Sequence, residues 1–152
     1  MPMSKRGVDT NILIYVLDRE SDFHQSALRV LISLSESKMG VVCWQNLTEF
    51  YAIVTDKKRI KTPLTPQIAT RELNTLLNKF SLEIIGPNSR TKELWFDLLK
   101  IKDIKGQIVH DIFLAATLLS NGVKTLVTEN TGDFKGVEGL RAMGLEKAAA
   151  AF

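Results

Sequence analysis

The chain has 152 residues, 45% hydrophobic and 24% charged, with 20 Lys+Arg against 17 Asp+Glu for a net charge of +3. That is the size and composition of one ordinary globular domain. With 9 Gly and 4 Pro it is not collagen-like, no apolar run approaches a membrane span, and the single Cys43 excludes an intrachain disulfide or a cysteine-built metal cluster. The only His residues are His24 and His110, so carboxylates must supply most of any catalytic chemistry. Met1 to Arg6 is basic, but Asp9 and Asn11 interrupt any apolar leader, so no secretory signal is expected and a reducing cytoplasm is the expected compartment. The mild positive charge permits nucleic-acid binding without requiring it.

In chain order, Arg6 to Asp9 reads as a very short strand, followed by a helix from about Asn11, since Thr10 and Asn11 are good N-cap types. Phe23, Ala27, Val30, Leu31 and Leu34 recur at helical spacing and predict an amphipathic helix over 22–37. Val41 to Cys43 is a short buried strand. The next helix carries one stripe of Trp44, Leu47, Tyr51 and Val54, and an opposite stripe that includes Gln45, Thr48, Glu49 and Asp56. Residues 57–66, charged and with two prolines, form a loop, and Thr65 opens a helix with Ile68, Leu73, Leu76, Leu77 and Phe80 on its core face. Leu82 to Ile85 reads as a strand, Asn88 or Ser89 as the cap of a helix bearing Leu94, Trp95, Leu98, Leu99 and Ile101, and 102–107 as a connector. Asp111 to Ser120 is helical, ending at Asn121-Gly122, and 124–128 is a strand. Beyond it the chain reads as Gly-rich and irregular, with room for one more short strand. The expected domain is 1–145, and the Ala-rich tail 146–152 is expected to be frayed or a remnant of cloning. Short apolar strands alternating with helices predict an α/β fold, a three-layer α/β/α sandwich around a central parallel sheet.

In such sheets, sites lie beyond the carboxyl ends of the strands. Four acids fall there. Asp9 ends the first strand, Glu49 lies on the polar stripe of the helix after the second, Asp111 begins a helix, and Asp133 follows the strand 124–128. Each alone has an ordinary explanation: a helix cap, an exposed glutamate, dipole compensation, a turn former. Their sequence separation is large, so only a fold can bring them together. His110 and the two tryptophans, Trp44 and Trp95, read as structural.

The segments Val8-Asp9-Thr10-Asn11, Leu47-Thr48-Glu49-Phe50, His110-Asp111-Ile112-Phe113-Leu114-Ala115-Ala116 and Leu126 to Phe134 together resemble the PIN-domain family over about residues 7 to 140, and within it most the VapC-type ribonuclease toxins. The resemblance implies a PIN-like sheet flanked by helices, and a cluster of Asp9, Glu49 and Asp111 holding Mg²⁺ or Mn²⁺. Asp133 or Asn130 would complete the set, with Thr10, Asn11 and Thr128 supporting it and the Thr128 hydroxyl orienting a carboxylate. It further implies metal-dependent endoribonuclease activity on RNA, a homodimer, and a small VapB-like antitoxin docking near the site, with the helices at 22–37 and 44–56 as contact surfaces.

Physical chemistry agrees with that expectation. Two carboxylates 4 Å apart repel by about 1 kcal/mol in water and about 4 kcal/mol at an effective dielectric of 20. A hard divalent cation offsets this, and without His or Cys partners zinc is disfavoured. A polyanionic substrate then needs positive charge nearby, and Lys57, Lys58, Arg59 and Lys61 follow the Glu49 helix. The nearest alternative is a PIN nuclease of RNA processing with no antitoxin. A catalytically silent binding module would predict a broken acidic set, and an Asp-nucleophile phosphohydrolase would need an acid where Asn11 stands.

Overall fold

The computed structural model describes residues 4–152; Met1 to Met3, the start of the expected domain, lie outside them. Five strands form one sheet: β1 (Arg6–Val8), β2 (Gly40–Cys43), β3 (Glu83–Ile85), β4 (Thr125–Val127) and β5 (Arg141–Met143). Every pairing is parallel, in the order β3-β2-β1-β4-β5. The helices are α1 (Thr10–Leu17), α2 (His24–Ser37), α3 (Trp44–Val54), α4 (Pro66–Lys79), α5 (Thr91–Lys102), α6 (Ile108–Ser120) and α7 (Leu145–Ala151).

Side-chain alternation along the strands divides the core in two. Val42 and Val127 face one cluster with Ile12, Leu31, Phe50 and Phe80, covered by α1 to α4 and α7. Their neighbours Val41 and Leu126 face the other, with Ile112, Leu118 and Phe134, covered by α5 and α6. Both faces are therefore buried, which is why the strands read as continuous apolar runs. On β1 the packing leaves no room for a side chain at Gly7. A Cβ there would sit 2.8 Å from Leu118 Cδ2, so the absent methyl lets α6 close onto the sheet.

β1 is central, with β2 on one side and β4 on the other. The chain thus reverses its winding direction between β1 and β4, and a crevice opens past their carboxyl ends. Asp9 follows β1 and Thr128 follows β4, so the first expected site residue and its expected support meet at this point.

The structure corrects several local expectations. α1 starts at Thr10, one residue ahead of the expected Asn11, with Asp9 rather than Thr10 or Asn11 in the cap position. α5 begins at Thr91, after a turn in which Asn88 Oδ1 accepts the Arg90 N–H. α6 begins at Ile108, so Asp111 lies within its first turn. Trp44 is 58% exposed rather than core; it opens α3 beyond the end of β2 and lies across Gly86, where a Cβ would meet its ring at 3.0 Å. Trp95 is half-buried, edge-on to Phe113 with ring centroids 5.2 Å apart. The tail does not fray. It forms α7, with Leu145 and Ala148 buried, and Phe152 lies under the Arg6 guanidinium at 4.0 Å. An alanine run has high helix propensity, and Ala148 is small enough to seat the helix against the core.

Candidate functional site

Asp9 leaves β1 with its N–H still bonded to the Val127 carbonyl at 3.0 Å, then turns into α1 as its N-cap. Its Oδ1 accepts the Thr10 N–H at 2.8 Å and the Asn46 Nδ2 amide at 3.3 Å, and its Oδ2 accepts the Thr128 hydroxyl at 2.8 Å. Thr128 in turn accepts from Asn11 Nδ2 at 3.2 Å and from the Asn130 N–H at 3.1 Å. One fully buried hydroxyl thereby joins the ends of β1 and β4. The sequence reading placed Thr128 in this supporting role.

It missed Asn46. This residue is 3% exposed, donates to Asp9 and, at 3.0 Å, to the Thr10 hydroxyl, and accepts the Cys43 N–H at 2.9 Å. Its position three residues after the Cys43 cap, the place of a capping box, was the available signal.

Glu49 lies one turn further along α3 and is exposed. Asp111 is half-buried in the first turn of α6. The two helices are tied together by Gln45 Nε2, which donates to the His110 carbonyl at 2.8 Å. Asp9, Glu49 and Asp111 line one cavity of about 240 Å³ together with Asn11, Asn130 and Arg59, and Ile14, Tyr15 and Ile53 form its apolar wall. Tyr15 was not foreseen: in the sequence it is one more apolar-run residue, while in the structure burial, then Glu129 and Asp9, push its phenol pKa upward.

Asp133 stands outside the cavity wall, on an exposed 3₁₀ turn (Thr131–Phe134) anchored by buried Phe134. Its charge still reaches the cavity. Burial is the main cause that raises the Asp9 pKa; bonds from Thr128 and Thr10 oppose it, and Glu49 and Asp133 add to it. The Asp111 carboxyl is pushed up to about 6 by burial first, then by Asp133, Asp9 and Glu49, with His110 opposing. Three of the four acids are thus in the cavity wall and the fourth is within electrostatic range. Thr10 is buried behind Asp9 on Asn46, and Asn11 and Asn130 are in the wall. Of the basic run, Arg59 lines this cavity, Lys61 lines another beside Asp18 and Glu72, and Lys57 and Lys58 line neither. A larger cleft of about 940 Å³ between α2 and α7 also holds three acids, Asp22, Glu129 and Glu146, but with two cations, Arg29 and Lys147, in its lining.

Among the described residues, no three Asp, Glu, His or Cys side chains form a group that could hold a metal ion by themselves. The donor chemistry nevertheless suits a hydrated cation that keeps several waters: the carboxylates of Asp9, Glu49 and Asp111 converge with no His or Cys in the wall, neighbouring acids add to the upward shifts of Asp9 and Asp111, and Asn11 Oδ1 is a buried acceptor with no donor among the described residues. No helix of the described residues is long and apolar enough to cross a membrane.

A parallel sheet in this order, with an acidic cavity at its switch point, is the architecture of a PIN domain. The PIN domain family model matches residues 8–140, and the chain belongs to that family. Ribonuclease VapC37 of Mycobacterium tuberculosis is similar at 25% identity over 135 residues, covering 88% of this chain and 92% of that protein. Ribonuclease VapC24 of the same organism is 26% identical over 128 residues, covering 84% of this chain and 88% of that protein. Among solved structures, VapBC2 from Rickettsia felis bound to a promoter DNA fragment aligns with a TM-score of 0.67 and 24% identity over 91% of this chain and 97% of that one. DNA-bound VapBC from Salmonella typhimurium aligns with a TM-score of 0.63 and 20% identity over 94% of this chain and 99% of that one. At these identities the structural likeness shows a shared fold.

Proposed function

We propose that this chain is a Mg²⁺- or Mn²⁺-dependent endoribonuclease that hydrolyses RNA phosphodiester bonds, acting in the cytoplasm as the toxin of a type II toxin–antitoxin pair. The observation that carries the chemistry is the convergence of Asp9, Glu49 and Asp111 on one small cavity at the sheet's switch point. The names of the similar proteins support the substrate and the pairing.

Asp9, Glu49 and Asp111, completed by Asp133 or Asn130, would hold the cation. When bound, it lowers the pKa of water and offsets charge on the phosphate. The protein's own groups do the rest. Thr128 and Asn46 keep the Asp9 carboxylate in one orientation. Asp111 or Glu49 orients the attacking water and accepts its proton as the new P–O bond forms and the bond to the leaving ribose oxygen breaks. The apolar wall of Ile14, Tyr15 and Ile53 limits bulk water at the reacting phosphate.

A small VapB-like antitoxin would dock near the cavity, on α2 and α3. Phe23 and Ile32, on and beside α2, are exposed apolar side chains that suit such a contact. The active form is read as a homodimer.

The test is cleavage of assorted RNAs with Mg²⁺, Mn²⁺ or EDTA. Wild type is expected to cut with either metal and not with EDTA. Asp9→Asn should lose on the order of 10²–10³ in rate, the cost of removing one preorganised electrostatic contact, while still melting cooperatively. Cleavage in EDTA would refute metal dependence, and full activity in Asp9→Asn would refute the site. Growth arrest on expression, relieved by a small protein encoded next to this chain, tests the toxin role.

A further inference from the structure

An anionic cavity repels the phosphate it is proposed to cut, and the structure offers one cation inside it. Of the four in the basic run, Arg59 alone shares the wall with Asp9, Glu49 and Asp111. Its backbone is fixed by the fold. Asp56 Oδ1 accepts the Lys58 N–H at 2.9 Å, and the Asp56 carbonyl accepts the N–H groups of Arg59 at 2.9 Å and Ile60 at 3.1 Å. Ile60 and Leu64 pack on the core cluster beneath α3, and the Leu64 N–H returns to the Val54 carbonyl at 2.8 Å. The loop that carries Arg59 is therefore a short continuation of the helix that carries Glu49.

Among the described residues, Arg59 makes no ion pair with the carboxylates around it. It shares the cavity wall with them without pairing to any of them. A guanidinium is charged at every working pH, and its planar fork matches two oxygens of one phosphate. Lys57 and Lys58 lack this placement, and Lys61 faces Asp18, Glu20 and Glu72 in a separate cavity.

We propose that Arg59 seats the target phosphodiester. Its guanidinium takes the non-bridging oxygens from the open side and holds the phosphorus over Asp9, Glu49 and Asp111. The proposal rests on the nuclease reading above and assigns the basic run a division of labour: one side chain positions the reacting phosphate, and the others supply general attraction.

The experiment compares wild type, Arg59→Ala, Arg59→Lys and Arg71→Ala. Arg71 is exposed on α4 and outside the cavity, so it controls for net charge. Binding of a fluorescein-labelled RNA oligonucleotide is read by anisotropy in EDTA across a salt series, and cleavage of the same RNA is read in Mg²⁺. Arg59→Ala should weaken binding about tenfold, as expected for losing one charge-assisted contact, and reduce the salt slope by about 0.7, one single-strand phosphate. Arg59→Lys should keep the slope and recover only part of the affinity. Arg71→Ala should bind within about twofold of wild type. An Arg59→Ala protein that binds RNA with wild-type affinity and slope overturns the proposal, whatever its cleavage rate. If wild type cuts no RNA but Arg59→Ala still loses binding as described, the phosphate contact stands and the nuclease reading falls.

Discussion

Asp9 and Glu49 line the same cavity, yet Asp9 is 8% exposed and accepts hydrogen bonds from three donors, whereas Glu49 is exposed and, among the described residues, accepts none. The same contrast separates the cavity's floor from its rim. The floor is Asp9 with Asn11, Asn46 and Thr128, where the ends of β1 and β4 and the start of α3 are laced by side-chain bonds. The rim is Glu49, Asp111 and Arg59, carried on helices and a loop and joined through the fold and long-range charge. The lesson is that preorganisation is unequal. The floor fixes where one carboxylate points, through bonds that partly offset the cost of burying it, while the rim gathers further charge that works against folding until something cationic or a substrate arrives.

Changing the residues that support Asp9 in the floor should give the largest effect on stability. Thr128→Val strips Asp9, Asn11 and the Asn130 N–H of a shared partner. Stability should fall by about 1–3 kcal/mol, the cost of buried groups left unpaired, and activity by about 10–100-fold, as for groups that orient metal ligands. Asn46→Ala should do the same. Chemical denaturation and cleavage rates measure both, and a variant that loses neither would erase the distinction between floor and rim.

Asp111 should respond in the opposite sense. In the metal-free fold its carboxyl is pushed from 3.8 up to about 6, and Asp9 is shifted in the same direction. A raised value means that the folded state holds the proton more tightly than the unfolded one. That contribution to stability is fully present below about 3.8 and is lost as pH rises through about 6. In EDTA, therefore, the part of Tm due to Asp111 should fall between about pH 4 and about pH 6. Asp111→Asn should remove the Asp111 share and raise Tm at neutral pH by about 2–4 °C, on the order of 1 kcal/mol after allowance for solvent screening, while cleavage is lost. A Tm that rises across this window only because of Asp111 would contradict the assigned direction.

Glu49→Gln sets the lower bound. An exposed side chain with no hydrogen bond among the described residues should change stability by no more than about 0.5 kcal/mol, yet cleavage should fall sharply. A large destabilisation would show that Glu49 belongs structurally with the floor.

Much of this architecture is visible in chain-local patterning. Short apolar runs and helical spacing identify the strand and helix order, because a strand buried on both faces is apolar throughout and a helix stripe must repeat with the backbone's own geometry. The acids at the strand ends, and Thr128 beside Asp9, follow from that order together with the family's motifs. The partnerships made across the fold are not visible in this way. Asn46 reads as a cap residue until β1 and α3 come together. Arg59 and Lys61 sit two apart in one basic run but face different cavities. Trp44 belongs to an apolar stripe, yet its place at the very start of α3 takes it past the sheet and into solvent. The alanine tail has strong helix propensity, but only the surface offered by α2 gives Ala148 somewhere to be buried. Asp133 and Asn130 compete on equal terms in the motif. The turn anchored by Phe134 puts Asn130 in the cavity wall and leaves Asp133 outside it, acting through its charge. Periodicity is a property of each segment, whereas strand order and crossover direction decide which segments meet, and the chemistry of this cavity depends on that meeting.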